Sequence, residues 1–208
     1  MSTNRFDEQA ATWDDDPAKV ERAEAVAVAI RAAVPLKKSM RLLEYGAGTG
    51  LVTQALRGSV GPVTMADTST GMRNVISDKI AAGIITDARV WDLDLATETV
   101  PDERFDLIVT VMTLHHITPL APVLSGFAEL LVEGGHLCIV DLEEEDGSFH
   151  GEGFHGHHGF ERSALASQLR DAGFTDIAFQ HCGDVDRGDA TYPLFLATCV
   201  RGRTDDTS

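Results

Sequence analysis

An α/β fold with a mainly parallel β-sheet is predicted by three features of the sequence. Helix-like and strand-like hydrophobic patterns alternate from Asp16 onward. The first apolar strand passes directly into a glycine-rich turn that opens a helix. Two strand-like runs close the chain with no helix between them, and such a pair should be antiparallel because parallel neighbours need a longer crossover. The 208 residues suffice for one domain with a full hydrophobic core.

Each element has a local reason. Phe6 to Trp13 carries two aromatics and reads as a separate helical turn or two. Asp16 suits an N-cap and Pro17 a first helical turn. Val20, Ala23, Ala27, Ile30 and Val34 then follow at helical spacing until Pro35. Arg41 to Tyr45 is the first strand, and Leu51 to Leu56 is the short helix after the glycine turn. Val63 to Ala66 is the second strand, ending at Asp67. Met72, Val75, Ile76 and Ile80 give one helical face closed by Gly83, and Ala88 to Trp91 is a third strand. The almost continuous apolar run Phe105 to Val111 fits a strand covered on both faces. A helix over Leu120 to Val132 is expected to stop at Gly134-Gly135, with a fifth strand over His136 to Val140. Ser163 to Ala172 is the last helix, and Ile177 to Gln180 and Leu194 to Val200 are the final strands.

Composition narrows the function. Seventeen basic residues face 33 acidic ones, a formal charge of −16, which repels phosphate backbones and anionic lipid headgroups. No Lys/Arg cluster suggests a local basic groove, so neither nucleic acid nor membrane is an expected partner. No apolar stretch approaches the roughly 20 residues needed to span a bilayer. Met1 to Asp16 is polar and acidic, unlike a signal peptide. Cys138, Cys182 and Cys199 are odd in number and lie in apolar runs, which favours buried thiols. A cytoplasmic location is expected.

The most specific feature is Leu42-Leu43-Glu44-Tyr45-Gly46-Ala47-Gly48-Thr49-Gly50. Glycines at a strand-to-helix turn allow positive φ and let a ligand approach the backbone, while the helix start offers free N–H groups. A tight turn of this kind alone is compatible with any α/β protein. The spacing, however, is Gly-x-Gly-x-Gly and not the Gly-x-Gly-x-x-Gly of dinucleotide binders. Asp67, at the end of the next strand, is well placed to accept hydrogen bonds from a ribose diol. On its own Asp67 would pass for a surface turn residue; beside the glycine turn it reads as part of a binding site.

On these residues the chain resembles the class I S-adenosylmethionine-dependent methyltransferases, over nearly its whole length from Phe6 to about Val200. Glu44 to Gly50 is similar to that family's first motif, and Met65 to Met72 to the stretch around its ribose-binding acid. Pro101 to Val109, Leu114-His115-His116-Ile117 and Leu130-Leu131 with Gly134-Gly135 follow at family-like distances. The branch it most resembles contains ubiquinone and menaquinone methyltransferases. The resemblance implies a Rossmann-like, seven-stranded, mostly parallel sheet with an antiparallel terminal strand and helices on both faces. It also implies N-terminal cap helices over residues 1–35, an S-adenosylmethionine-binding domain over 36–201 and a flexible tail over 202–208. Cofactor contacts are then expected from Glu44, Gly46, Ala47, Gly48, Gly50, Asp67, Thr68, Met72, Asp92, Leu93, Asp94 and Val111. Two departures stand out. Glu133 replaces the usual proline before the two glycines. Glu98-Thr99-Val100 replaces Leu-Pro-Phe before the fourth strand, which leaves the adenine-binding acid open between Asp92 and Asp94, with Asp92 slightly preferred.

The implied chemistry is in-line displacement at a sulfonium methyl, with S-adenosyl-L-methionine as co-substrate, so the protein mainly orients the reactants and excludes water. Removing a proton from the acceptor can still use a general base. His115 and His116 follow the fourth strand, and His116 is one candidate, although a turn that shapes the pocket without proton transfer is the preferred reading of the pair. The second candidate region is Ser148 to Phe160, with His150, His155, His157 and His158 among flexible glycines. Solvated connection, substrate-facing lid and metal site compete for this loop. The lid is preferred, with His157 and His158 as candidate catalytic residues and no resident metal. A small-molecule methyl acceptor and a monomer or homodimer are expected. The rivals are a protein or RNA methyltransferase, a nicotinamide-dependent oxidoreductase, and a non-catalytic cofactor- or metal-binding protein.

Overall fold

The computed structural model describes residues 5–203. Met1 to Asn4 and residues 204–208 of the expected tail lie outside them. The chain forms two compact units that divide between Asp94 and Leu95.

In the first unit, helix α1 (Arg5–Gln9) and a 3-10 turn (Ala10–Asp15) precede α2 (Pro17–Ala33). Asp16 caps α2 as expected, its carboxylate accepting from Ala18 N at 3.0 Å, and Ala23, Val26, Ala27 and Ile30 are the buried face. Strand β1 (Leu42–Tyr45), α3 (Leu51–Ala55), β2 (Val63–Ala66), α4 (Thr70–Ala81) and β3 (Ala88–Trp91) follow. The three strands pair in parallel, Leu42 opposite Val63 and Val63 opposite Ala88. Every residue of β1 and β2 is buried, as an apolar parallel strand requires. Ser69 caps α4 through Met72 N at 3.2 Å, and Met72 and Ile76 anchor that helix in the core.

The second unit holds β4 (Phe105–Val111), a 3-10 turn (Leu114–His116), α5 (Ala121–Leu130), β5 (Leu131–Leu142), α6 (Arg162–Asp171), β6 (Phe174–Arg187) and β7 (Ala190–Arg201). Strands β4 and β5 are parallel, whereas β7 runs antiparallel to both β5 and β6. The seven-stranded sheet has the order β3-β2-β1-β4-β5-β7-β6. The antiparallel strand, last in sequence, is thus inserted between β5 and β6 and is not at the sheet edge. Phe127, Phe174 and Phe195 are fully buried in this unit.

Two boundaries differ from the sequence reading. The helix expected to run to Val132 ends at Leu130, because Leu131 turns extended (φ −83°, ψ 144°) and pairs with Phe105. Gly134 (φ +74°) and Gly135 therefore do not stop a helix. They lie inside β5, where the register against β4 shifts between Phe105 and Leu107, as a β-bulge does. The closing hairpin is also far longer than Ile177 to Gln180 and Leu194 to Val200. It reaches a tight turn at Gly188 and carries register shifts near Asp176 (φ +51°) and Gly183 (φ +90°), which interrupt the alternation that marks a strand. All three cysteines are buried and free. No helix among the described residues is long and apolar enough to cross a membrane.

Candidate active site

The glycine turn is in the first unit. Gly46, Gly48 and Gly50 all adopt positive φ (69°, 56° and 78°), so a side chain at any of them is strained. Their surroundings differ. A Cβ on Gly50 would sit 2.9 Å from Met65 Sδ and 3.2 Å from Ile85 Cδ1, so that glycine lets the turn pack onto the core. A Cβ on Gly48 would meet only Trp13 Nε1, at 3.9 Å, so the backbone there is open on the side facing Trp13. An uncovered positive-φ turn before a helix is what a ligand carrying a polar tail needs.

Asp67 holds this turn. Its Oδ2 accepts from Gly48 N at 2.7 Å and its Oδ1 from Ser69 N at 2.8 Å. Burial raises its pKa, against which these two hydrogen bonds and Arg73 act. The half-buried carboxylate retains acceptor capacity for a diol, since two oxygens offer about four lone-pair sites. Glu44 is different. It is 3% exposed, accepts from Thr53 N at 3.0 Å and from the Thr53 hydroxyl, and so ties β1 to α3 beneath the turn. Burial pushes its pKa up to about 7. Ala47 is buried.

The remaining residues singled out from the sequence fall in varied settings. Asp92 follows β3 and is exposed in an ion pair with Arg73, at 2.8 Å. Leu93 is buried and Asp94 half-buried. Thr68 is exposed, while Met72 belongs to the core at 1% exposure. Val111 ends β4 in the second unit.

Two residues missed by sequence reasoning fasten the N-terminal segment to the turn. Asp14 accepts from the Thr49 hydroxyl and pairs with Lys79 at 2.5 Å, while Lys79 Nζ also donates to Thr49 O at 2.7 Å. Asp7 accepts from Gly71 N at 2.8 Å and from Ser69 Oγ at 2.6 Å. Both lie in an acidic stretch that looks merely solvated when read in sequence.

In the second unit, His115 and Asp141 follow neighbouring parallel strands or end them, and both are fully buried. His115 Nδ1–H donates to Asp141 Oδ1 at 2.5 Å. The aspartate also accepts from His115 N at 3.3 Å and Leu142 N at 2.8 Å. His116 is exposed, and its ring lies 4.1 Å from that of His115. From the glycine-rich loop it is His150 that joins these two, with ring centroids 5.0 Å from each. His157 and His158 stand apart from that group. His157 Nε2 meets Ile117 O at 3.0 Å, and His158 Nδ1 lies 3.3 Å from Glu145 Oε1. The loop also shapes an open cleft of about 440 Å³, lined by Asp146, Ser148, Glu152, Phe154 and His158 among others.

The description "Methyltransferase domain" fits residues 19–182. The chain is 27% identical over 156 residues to an uncharacterized methyltransferase of Schizosaccharomyces pombe, a match covering 67% of this chain and 55% of that protein. It is 33% identical over 144 residues to the biotin biosynthesis bifunctional protein BioCD of Bordetella avium, covering 68% and 30%. Against the ubiquinone/menaquinone biosynthesis C-methyltransferase UbiE of Vibrio vulnificus the identity is 28% over 112 residues, covering 52% and 43%. The chain thus spans about half, or less, of the length of these relatives. Among solved structures, the complex between the Haloferax volcanii Trm112 methyltransferase activator and a methyltransferase superposes with a TM-score of 0.79 at 17% identity, covering 98% of this chain and all of the matched one. The N-methyltransferase NodS of Bradyrhizobium japonicum gives 0.67 at 18% identity, covering 91% and 99%.

Proposed function

We propose that this chain, which belongs to the class I S-adenosylmethionine-dependent methyltransferases, methylates a small molecule and not a nucleic acid or protein. The observation that carries this reading is the open cleft beside the histidine loop. Asp146 and Glu152 in its wall, together with a net charge of −16, favour a neutral or cationic acceptor over a phosphorylated one.

S-adenosylmethionine supplies the electrophilic methyl group and leaves as S-adenosylhomocysteine. In this reading the open, positive-φ turn at Gly46 to Gly50 lets its polar tail approach the backbone closely, and Asp67 accepts from its ribose hydroxyls. Asp92, exposed after β3 and paired with Arg73, and the half-buried Asp94 are both candidates for the adenine amino group. His158 is the candidate general base, since it lines the cleft and has Glu145 behind its Nδ1. His157, held by Ile117 O, is assigned to positioning the loop.

A metabolite panel that includes amines, phenols and phosphate esters tests the proposal by release of S-adenosylhomocysteine. Turnover is expected with neutral or amine acceptors, and His158→Ala should lower it while leaving S-adenosylmethionine affinity unchanged. Methylation of RNA or protein with none of the small molecules would overturn it. The N-terminal segment gives a second expected result. Deleting residues up to Asp14 removes Trp13 from the open side of Gly48 together with the Asp7 and Asp14 contacts. The truncated chain should fold, by circular dichroism, yet bind S-adenosylhomocysteine more weakly in calorimetry.

A further inference from the structure

His115, His116 and His150 converge at the carboxyl ends of β4 and β5, and each offers a ring nitrogen within 4.8 Å of the other two. The arrangement of His115 is the informative part. Its Nδ1–H is given to Asp141, a carboxylate that is itself held by two backbone N–H groups, so the ring is fixed as the tautomer with a lone pair on Nε2. That Nε2 is buried and has no hydrogen-bond partner among the described residues. A buried acceptor left unpaired is destabilising, so the position calls for an explanation.

The surrounding side chains hold the three rings in place. His150 stacks on Phe154 at 3.9 Å, and Phe149 meets His150 edge-on at 4.8 Å. The loop returns onto the 3-10 turn at Gly156, where a Cβ would lie 2.1 Å from His115 O, and His157 N donates to that same oxygen at 2.7 Å. A histidine oriented by a buried carboxylate, with its second ring nitrogen unpartnered and two further imidazoles close by, is the arrangement that metal-binding histidines adopt.

We propose that His115, His116 and His150 form a binding site for one divalent transition-metal cation of the zinc class, with Asp141 orienting His115 from behind. Three imidazoles suit zinc or cobalt far better than magnesium or calcium, which take oxygen ligands. The exposure of His116 leaves the fourth coordination position reachable by water or by an oxygen or nitrogen donor.

The test uses the tag-free full chain, stripped with chelator and titrated with Zn²⁺ by calorimetry and with Co²⁺ by visible absorption. One saturating ion per chain and a visible cobalt spectrum are expected. His116→Ala combined with His150→Ala should abolish both signals. Asp141→Asn should weaken binding roughly 10–100-fold. His155→Ala, in the same loop but outside the cluster, should match the parent, and circular dichroism checks that each variant is folded. Absence of saturable binding in the parent, or parent-like affinity in the folded double variant, would overturn the proposal. Neither signal requires a methyl acceptor, so failure here leaves the small-molecule reading standing.

Discussion

Asp67→Ala should weaken S-adenosylmethionine binding by about 1–3 kcal/mol, roughly 5–150-fold. Two effects combine in that loss. The direct one is removal of the acceptor proposed for the ribose hydroxyls. The indirect one is release of Gly48 N and Ser69 N, which the carboxylate holds at 2.7 and 2.8 Å. Asp67→Asn keeps one acceptor oxygen and should fall between parent and alanine. Gly48→Val should do worse than either, because a β-branched residue resists φ +56° and its side chain would fill the open side facing Trp13. Calorimetry with S-adenosylhomocysteine reads the affinities, and thermal melts separate lost binding from lost folding. If folded Asp67→Ala and Gly48→Val both bound like the parent, the cofactor pocket would have to be elsewhere.

Glu44→Gln should flatten the fall in stability between about pH 4.5 and 7. In the folded chain Glu44 gives up its proton near pH 7, against 4.5 ordinarily, because burial disfavours the charge more than the two Thr53 hydrogen bonds favour it. The unfolded chain therefore releases this proton first as the pH rises. Folding is undisturbed by Glu44 below about pH 4.5, loses stability through the interval, and levels off above about 7. A shift of that size corresponds to about 3 kcal/mol at most. Glutamine keeps an acceptor for Thr53 and carries no titrating proton. Urea unfolding at pH 5 and pH 8 measures the effect as the difference between parent and variant, since other carboxylates, Asp67 included, titrate in both. A difference that did not change with pH would show that Glu44 stays charged in the fold.

Much of the molecule was legible in the sequence by itself, and for a common reason: the signals were local. The Asp16 cap and Pro17 are set by two adjacent residues, and the fully buried β1 and β2 by short apolar runs. The glycine turn and Asp67 sit at successive strand ends, which parallel pairing brings side by side. The absence of a helix between the last two strands dictated that they be antiparallel.

Only the tertiary structure decided the rest. Leu130 and Leu131 continue a helical pattern, yet Leu131 becomes strand because Phe105 pairs with it, a partner no local window contains. Gly48 and Gly50 look alike in the motif, and they separate into an open glycine and a packed one only through Trp13 and Met65. Asp7 and Asp14 look like solvated charge until the fold sets Gly71, Thr49 and Lys79 against them. The histidine group shows the limit most clearly. Closeness to the following helix singles out His157 and His158 in the sequence, while only the folded loop, returning onto the 3-10 turn at Gly156, brings the more distant His150 beside His115 and His116. Hydrophobic period and turn chemistry are written along the chain, but the burial and hydrogen bonding that orient a side chain depend on residues far from it in sequence.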